Sequence, residues 1–515
     1  MSNTFGYLKS AVKNVAFILS GSVGGVGLWF LVRVLIVRSV TPEELGYYQL
    51  VVSMVGLLSL LATLGLITGA AKHISIYRHE DSPEKAKGVS ATSFKIGLLA
   101  SGFVTVVVYL LADPIARHVF YDLKLITPIK ISSFFILFNA LSVILLSILQ
   151  GYGFIRSRAY FLTVGQPALL LVLVLVTSLL KLSYLYYIAS FSLAMAGNLI
   201  GVVIYARRNI AFNPLDPAGF PGFRKLLAFS LPLLGATIMS AIFLRMDILI
   251  VGRYLDIVQV GIYGVAISLV GLLSFSHAAA SFVFLPLAGE MHKKNERKEL
   301  KRSYQVLTKW IFMSTLPVFF IMFFFPEMTI SFIFGKAYVS AAAPLRILSI
   351  GFLFFVFVGS NTMLLTLFGF SMHILAITSL SAFVNLTLNY ILLKHVGTGI
   401  EGVAFATSIS FFLNFGLNTI LLYRKTGIHP ITKSYIKPII GIMVVSIPVY
   451  ALAKSLPLHF FMVPAYLLIF LIGYAAVLLF SRSIEQEDIA LFDAVTRRLG
   501  VDLKRIRSLL LRFSG

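Results

Sequence analysis

Residues 45–60 read LGYYQLVVSMVGLLSL, and residues 260–275 read VGIYGVAISLVGLLSF. The two segments align without a gap at an offset of 215, with eight of sixteen positions identical: Gly46/Gly261, Tyr48/Tyr263, Ser53/Ser268, Val55/Val270, Gly56/Gly271, Leu57/Leu272, Leu58/Leu273 and Ser59/Ser274. Apolar fill produces chance matches, but Gly, Tyr and Ser at fixed places do not come from fill. A second match has almost the same offset: Pro128-Ile-Lys-Ile aligns with Pro344-Leu-Arg-Ile at 216, and Gly153-Phe154 then falls on Gly369-Phe370. The chain is therefore read as a duplicated unit.

Composition says where that unit lives. Of 515 residues, 58% are apolar and 12% charged, with a mean hydropathy of +0.94. Soluble domains run at about 45–50% apolar and about 25% charged. This chain cannot cover itself with a solvated surface, which excludes both a soluble enzyme and a disordered protein. Without cysteine, it can form no disulfide, thiolate metal site or cysteine nucleophile. The N-terminal segment leads into an apolar run too long for a signal-peptide core, so it reads as the first span.

Apolar runs bounded by charge or by Pro and Gly predict fourteen membrane helices, at 13–38, 45–70, 91–112, 128–151, 159–181, 183–206, 227–252, 258–286, 306–326, 343–369, 372–394, 402–424, 435–454 and 459–480. The repeat offset spans six of them. Six is even, so both copies enter the membrane in the same direction, as parallel repeats about an axis along the membrane normal. The fold expected is an all-α polytopic membrane protein of two parallel six-helix bundles, residues 1–210 and 211–426. Two extra helices at 427–480 and a cytoplasmic amphipathic tail at 481–515 follow. In that tail Leu503, Ile506, Leu510 and Phe513 share a face, with Lys504, Arg505, Arg507 and Arg512 elsewhere, a pattern suited to an anionic membrane surface.

The formal charge is +23, from 43 Lys and Arg against 20 Asp and Glu. With fourteen spans and a cytoplasmic start, connections and termini on the cytoplasmic side hold 29 of those basic residues, and the opposite connections hold 10. The excess follows the positive-inside rule and predicts both termini in the cytoplasm. It also accounts for most of the charge without nucleic acid. The basic segment EMHKKNERKELKRSY, residues 290–304, reads as a solvated helical connection on that side.

With spans and repeat in place, several segments resemble a known family. Phe334-Gly-Lys-Ala-Tyr338, then Ala341 and Pro344-Leu-Arg-Ile-Leu348, is similar to the loop-to-helix motif of polysaccharide-exporting flippases. Asn385-x3-Asn389, followed by Gly397-x4-Gly402-Val-Ala404-x-Ala406-Thr407, resembles a signature of their second bundle, and Thr41-Pro-Glu-Glu-Leu-Gly46-x-Tyr48 their first-to-second helix connection. The resemblance is to the oligosaccharidyl-lipid and polysaccharide branch of the superfamily that also holds multidrug antiporters and lipid II flippases. It implies a flippase of the cytoplasmic membrane that moves lipid-linked oligosaccharide for surface polysaccharide or glycoconjugate synthesis. The partners it implies are that substrate, membrane lipids, and glycosyltransferases or a polymerase of the same pathway. The alternative within the superfamily is a cation-coupled multidrug exporter.

Ionisable residues deep in a span cost about 2.5–3.5 kcal/mol each on insertion scales, so those that persist normally face a wet or protein-lined interior. Arg33 lies in the first span, and Arg245 and Asp247 lie in the seventh. Matching Leu35-Ile-Val37 to Leu249-Ile-Val251 sets Arg33 opposite Asp247, which suggests that the two approach each other in one state of a transport cycle. The competing reading has Arg33 snorkelling to the outer interface near Arg38, and Arg245 with Asp247 as a structural salt bridge. Guanidinium groups fit phosphate oxygens bidentately and stay charged. A cationic drug would call for carboxylates instead. The substrate-binding candidates are thus Arg33, Arg245, Asp247, Asn385 and Asn389, with Tyr48, Tyr263 and Asn361 as further sugar contacts. The bland role for Asn385 and Asn389, at i and i+4, is interhelical hydrogen bonding. Gly21-x3-Gly25 reads as a close helix contact, Pro232 as a kink, and His277 as an intramembrane packing residue. No Walker motif or H-E-x-x-H occurs, so no catalytic site, metal or cofactor is expected.

Overall fold

The computed structural model describes residues 24–210, 212–213, 222–430, 436–455 and 463–480, with Thr496. Gly21 and the expected tail helix lie outside these residues. Among them the chain is helical, without strands. Helix α1 covers 24–39, α2 Pro42–Ala62, α3 Leu66–His79 and α4 Pro83–Leu110. Next come α5 (Ile126–Gly151), α6 (Ile155–Tyr160), α7 (Gln166–Leu179) and α8 (Tyr184–Ile210). The second copy has α9 (Phe223–Tyr254), α10 (Ile257–Val270), α11 (Phe275–Lys293), α12 (Arg297–Phe324), α13 (Pro326–Ile333), α14 (Ala342–Leu367), α15 (Ser371–Ile391) and α16 (Gly399–Thr426). Two further helices, α17 (Ile436–Ser455) and α18 (Val463–Phe480), follow.

The duplication is written in these boundaries. α2, α4, α5, α6 and α8 begin at 42, 83, 126, 155 and 184, and α10, α12, α14, α15 and α16 begin at 257, 297, 342, 371 and 399, offsets of 214–216 throughout. Pro128 and Pro344 each stand third in their helix, where a missing N–H costs nothing. Gly153 and Gly369, which end the equivalent helices, both have positive φ, 93° and 83°.

Local chemistry sets the ends. Thr41 caps α2 with a reciprocal box: its Oγ1 accepts from the Glu44 N–H at 3.3 Å, and Glu44 Oε2 accepts from the Thr41 N–H at 2.9 Å. The Thr-Pro-Glu-Glu signature is thus a helix start. The second span is longer than its apolar run: α2 and α3 together occupy Pro42–His79, broken where Leu64 and Gly65 take positive φ. A Cβ on Gly65 would lie 2.1 Å from the Ser230 carbonyl oxygen, so the break admits α9 at backbone distance.

Eleven helical segments among the described residues are long and apolar enough to cross a membrane. Shorter apolar stretches, Lys437–Val449 and Leu468–Leu478, lie in α17 and α18. Faces divide as a bilayer demands. On α4, Leu99, Phe103, Val106 and Leu110 recur at helical spacing and are 55–74% exposed. On its other side, Gly97 packs so close to α5 that a Cβ would meet Ile144 Cδ1 at 2.4 Å.

The helices form two compact units, residues 20–264 with 389–400, and residues 265–388 with those from 401 onward. The first has a core of Leu66, Ile74, Phe94, Leu145, Ile148, Val202 and Leu226. In the second, α17 and α18 pack on α12 through Phe312, Phe320, Tyr466 and Phe470, with Phe320 and Phe470 stacked at 4.4 Å. His277 in this unit lies 3.3 Å from Ser360 Oγ, its ring against Gly359.

Within the first unit the repeat meets itself. A Cβ on Gly46 would sit 1.9 Å from the Ile257 carbonyl oxygen, and a Cβ on Gly261 would sit 2.2 Å from that of Pro42. Each repeat-equivalent glycine touches the carbonyl four residues before the other, the reciprocal contact that a two-fold axis generates. Any side chain there collides with backbone. Gly46→Val and Gly261→Val should each destabilise the protein by about 1–3 kcal/mol or more. Gly102→Ala, where a Cβ meets nothing within 4 Å, should not. Thermal unfolding of the detergent-purified variants checks this, and equal midpoints for all three would contradict the contact.

Candidate functional site

The first unit encloses a cavity of about 430 Å³ lined by residues from six helices. α1 contributes Trp29, Val32, Arg33 and Ile36, the i, i+3, i+4, i+7 face of one helix. α2 contributes Tyr48, Val52, Gly56, Ser59 and Leu60, again one face. Phe135 and Asn139 come from α5, Gln166 from α7, Phe191 from α8 and Arg245 from α9. Two of these fourteen residues are arginines, and none is acidic.

Backbone approach positions α1. Pro167 lacks the N–H that would bond the Thr163 carbonyl in a regular helix, and its ring crowds that oxygen. The chain answers with a π-turn over Phe161–Gly165. The Thr163 oxygen then rests on α1 where Gly25 has no side chain: a Cβ there would be 2.2 Å away. The close contact expected of Gly25 is therefore present. Trp29 and Arg33 follow Gly25 at one and two turns, so this contact aims both at the cavity.

The half-buried Arg33 donates from Nη2 to the Gly264 carbonyl at 3.2 Å. Gly264 is itself tightly enclosed, since a Cβ would meet Gln49 Nε2 at 2.4 Å. Across the cavity, Arg245 Nη1 lies 3.3 Å from where a Cβ on Gly56 would be. The glycine shared by both repeats thus leaves room for this guanidinium. Phe135 and Phe191 stack at 4.4 Å, with Tyr48 edge-on to Phe191 at 6.4 Å. The polar wall is Ser59, Asn139 and Gln166, where Asn139 Nδ2 donates to Ser59 Oγ at 3.0 Å.

Asp247 takes a different position. It follows Arg245 by two residues, about 200° around the helix, and is 4% exposed. It does not line the cavity. Its Oδ2 accepts from the Tyr263 hydroxyl at 3.1 Å, and its Oδ1 from Asn389 Nδ2 at 3.3 Å. Asn389 and Tyr263 therefore hold a buried carboxylate. Asn385 belongs to the other unit and donates to Thr407 Oγ1 at 3.3 Å. Asn361, also there, bonds Tyr304 and donates to Thr419 Oγ1 at 2.8 Å. The structure brings Arg33, Arg245 and Tyr48 into one chamber and Asp247, Tyr263 and Asn389 into one buried cluster. Trp29, Asn139 and Gln166 were not read from the sequence. A Gln-Pro pair and a lone Asn inside apolar spans were the available signals.

A family model described as polysaccharide biosynthesis protein matches residues 11–292, more than half of the chain. A stretch of 143 residues is 28% identical to an uncharacterized membrane protein of Methanocaldococcus jannaschii, a match that spans 28% of this chain and 28% of that one. Among solved structures, the fold is similar to that of the lipid II flippase MurJ in an inward closed conformation. The TM-score is 0.73 at 15% identity, over 89% of this chain and 97% of that one. It is also similar to an inward-facing multidrug resistance MATE family transporter of the MOP superfamily, at 0.67 and 16%, over 78% and 94%. A MOP superfamily transporter from Pyrococcus furiosus, whose binding pocket of reverse polarity suggests a different function, aligns at 0.57 and 17%, over 82% and 96%. These structures share the all-helical membrane fold expected from the sequence.

Tyr48 and Tyr263 are repeat equivalents with different tasks, which gives a direct test. Tyr263→Phe removes a donor to a buried carboxylate and should cost about 1.5–3 kcal/mol. Tyr48→Phe keeps the ring against Phe191 and should stay within about 0.5 kcal/mol of wild type. Unfolding midpoints in detergent compare the two, and equal losses would refute the division of roles.

Proposed function

The chain belongs to the polysaccharide biosynthesis protein family, and from that premise we propose that it is a flippase for lipid-linked oligosaccharide. It carries a lipid-phosphate- or lipid-pyrophosphate-linked sugar from the cytoplasmic leaflet of the cytoplasmic membrane to the outer leaflet. Both termini lie in the cytoplasm, as the basic residues of the connections indicate, and the parallel six-helix halves work by alternating access.

The observation that carries this reading is the pair Arg33 and Arg245 in one intramembrane chamber with no acidic lining residue. A guanidinium stays charged in such a place and binds phosphate oxygens through a planar fork of donors. The low dielectric strengthens the attraction severalfold over water. The cargo's lipid chain stays among the lipids that already cover the helix faces, so only the head has to be desolvated and carried. The alternative, a cation-coupled multidrug exporter, would place a positive cargo between two positive groups. Nothing in the chamber favours it.

Reconstitution tests the proposal. In proteoliposomes holding a fluorescent isoprenyl-diphosphate sugar, a membrane-impermeant quencher reports how fast the probe changes leaflet. Wild-type protein should accelerate that exchange. Arg33→Gln and Arg245→Gln should each slow it by about tenfold or more, since a charge-assisted hydrogen bond contributes about 1.5–3 kcal/mol. A fluorescent phosphatidylcholine should not exchange. Unchanged rates in both variants, or transport of a cationic dye instead, would overturn the reading.

A further inference from the structure

Four arginines at one end of α6 and α8 take no part in the chamber. α8 turns Leu193, Ile200 and Ile204 outward, 47–60% exposed. By helical spacing the same face ends in Arg207 and Arg208, both exposed. α6 stands beside it. The Tyr205 ring on α8 meets Phe154 edge-on at 6.0 Å and Phe161 at 5.8 Å. A Cβ on Gly201 would lie 3.2 Å from Phe161 Cε1. Arg158 comes four residues after Phe154 and three before Phe161, on the side that meets Tyr205. It is half-buried, and its guanidinium donates no hydrogen bond to any described residue. The side chains of Arg156, Arg207 and Arg208 donate none to the described residues either.

The repeat supplies an internal control. α6 and α15 begin 216 residues apart, and α8 and α16 begin 215 apart. The second copy therefore places Met372 and Ile374 where the first has Arg156 and Arg158, and Leu422 and Tyr423 where it has Arg207 and Arg208. Arg424 and Lys425 come just after, and Lys425 packs over the Phe370 ring at 5.7 Å. The same helix ends thus form without the four arginines. An excess of Lys and Arg on the cytoplasmic side accounts for exposed cations. It does not account for one half-buried in an aromatic seam, where a guanidinium loses hydration without gaining an acceptor. The local sequence offers no carboxylate to answer it, since no Asp or Glu occurs between Asp122 and Asp216.

We propose that Arg158 and Arg208, flanked by Arg156 and Arg207, bind the phosphate of an anionic membrane phospholipid. In the orientation given above, that lipid belongs to the cytoplasmic leaflet. The apolar stripe commits the site to a lipid. Leu193 to Ile204 offers acyl chains about 16 Å of outward-facing helix, directly in line with the arginines. One molecule satisfies both parts, with its chains along α8 and its phosphodiester at the helix end. A soluble phosphate would use the arginines alone. Guanidinium forks fit phosphodiester oxygens, and basic sites between helices on the cytoplasmic side suit anionic heads. Tyr160, 49% exposed beside the site, sets an amphipathic ring at interface depth. The site is separate from the chamber and does not depend on what the chamber carries. A bound head ties α6 to α8 just before the π-turn at Phe161–Gly165. That turn brings the Thr163 oxygen to Gly25, so the lipid steadies the element that positions α1.

Native mass spectrometry of the delipidated full-length protein in detergent tests this, with phosphatidylglycerol and phosphatidylcholine of the same short chains as probes. Wild type should bind phosphatidylglycerol about tenfold more tightly. Arg158→Gln/Arg208→Gln should bring the two lipids within about threefold. Lys294→Gln/Lys298→Gln removes the same charge from exposed positions of the other unit and should leave the preference intact. Thermal unfolding adds a second readout. Phosphatidylglycerol should raise the Tm of wild type and not that of Arg158→Gln/Arg208→Gln, whose lipid-free Tm should match wild type and so show that it is folded. Equal binding of the two lipids by wild type, or an equal loss of preference in the lysine control, would overturn the site. Inorganic phosphate that raised the Tm as far as phosphatidylglycerol does would overturn the lipid assignment. Arg33→Gln/Arg245→Gln should keep the preference. Its loss there would put the phospholipid in the chamber and overturn the separate site.

Discussion

Two guanidinium groups share a chamber inside a membrane protein, and the architecture answers that constraint. A charge in such a place must be hydrated, paired or matched to a ligand. Arg33 spends part of its donor set on the Gly264 carbonyl, and Arg245 lies over a glycine. A second element of the same constraint is Asp247, the acidic residue nearest in sequence. It is turned away on the same helix and held by a tyrosine and an asparagine. Separating the carboxylate from the chamber keeps the lining positive.

The geometry around these groups is set by backbone contacts that only glycine permits. Gly25 accepts the freed Thr163 carbonyl, Gly65 the Ser230 carbonyl, and Gly46 and Gly261 each other's helices. Without a strong hydrophobic drive between helices in lipid, such close approaches are a main source of packing energy and of precision. They also make the two copies of the repeat complementary. The same glycines that duplicate in sequence interlock in space, as a symmetric pair should.

Much of this was legible in the chain. The repeat and the helical class followed from the sequence, and the helix starts recur at the offset that sixteen residues gave. Arg33 and Arg245 stood out because charge in an apolar run has few explanations. Other parts were hidden for physical reasons. A pattern match at offset 214 set Arg33 opposite Asp247; Arg33 lines the chamber, and Asp247 accepts from Tyr263 and Asn389. Tyr48 and Tyr263 show the same divergence, one lining the chamber and the other holding a carboxylate. Gln166 was silent because its meaning depends on Pro167 and the carbonyl four residues before it, a relation that appears only when the helix is built. Asn385 and Asn389 share one helix face, yet they bond to different partners.

The central claim is that the paired guanidinium groups hold a phosphate-bearing lipid head. Mass spectrometry of the lipids retained by the purified protein addresses it most directly, comparing wild type with the double variant Arg33→Gln/Arg245→Gln. The account predicts a phosphate- or diphosphate-linked isoprenoid glycolipid with the wild type and its loss from the double variant. Retention of the same lipids by both proteins, or of zwitterionic lipids alone by the wild type, would contradict it.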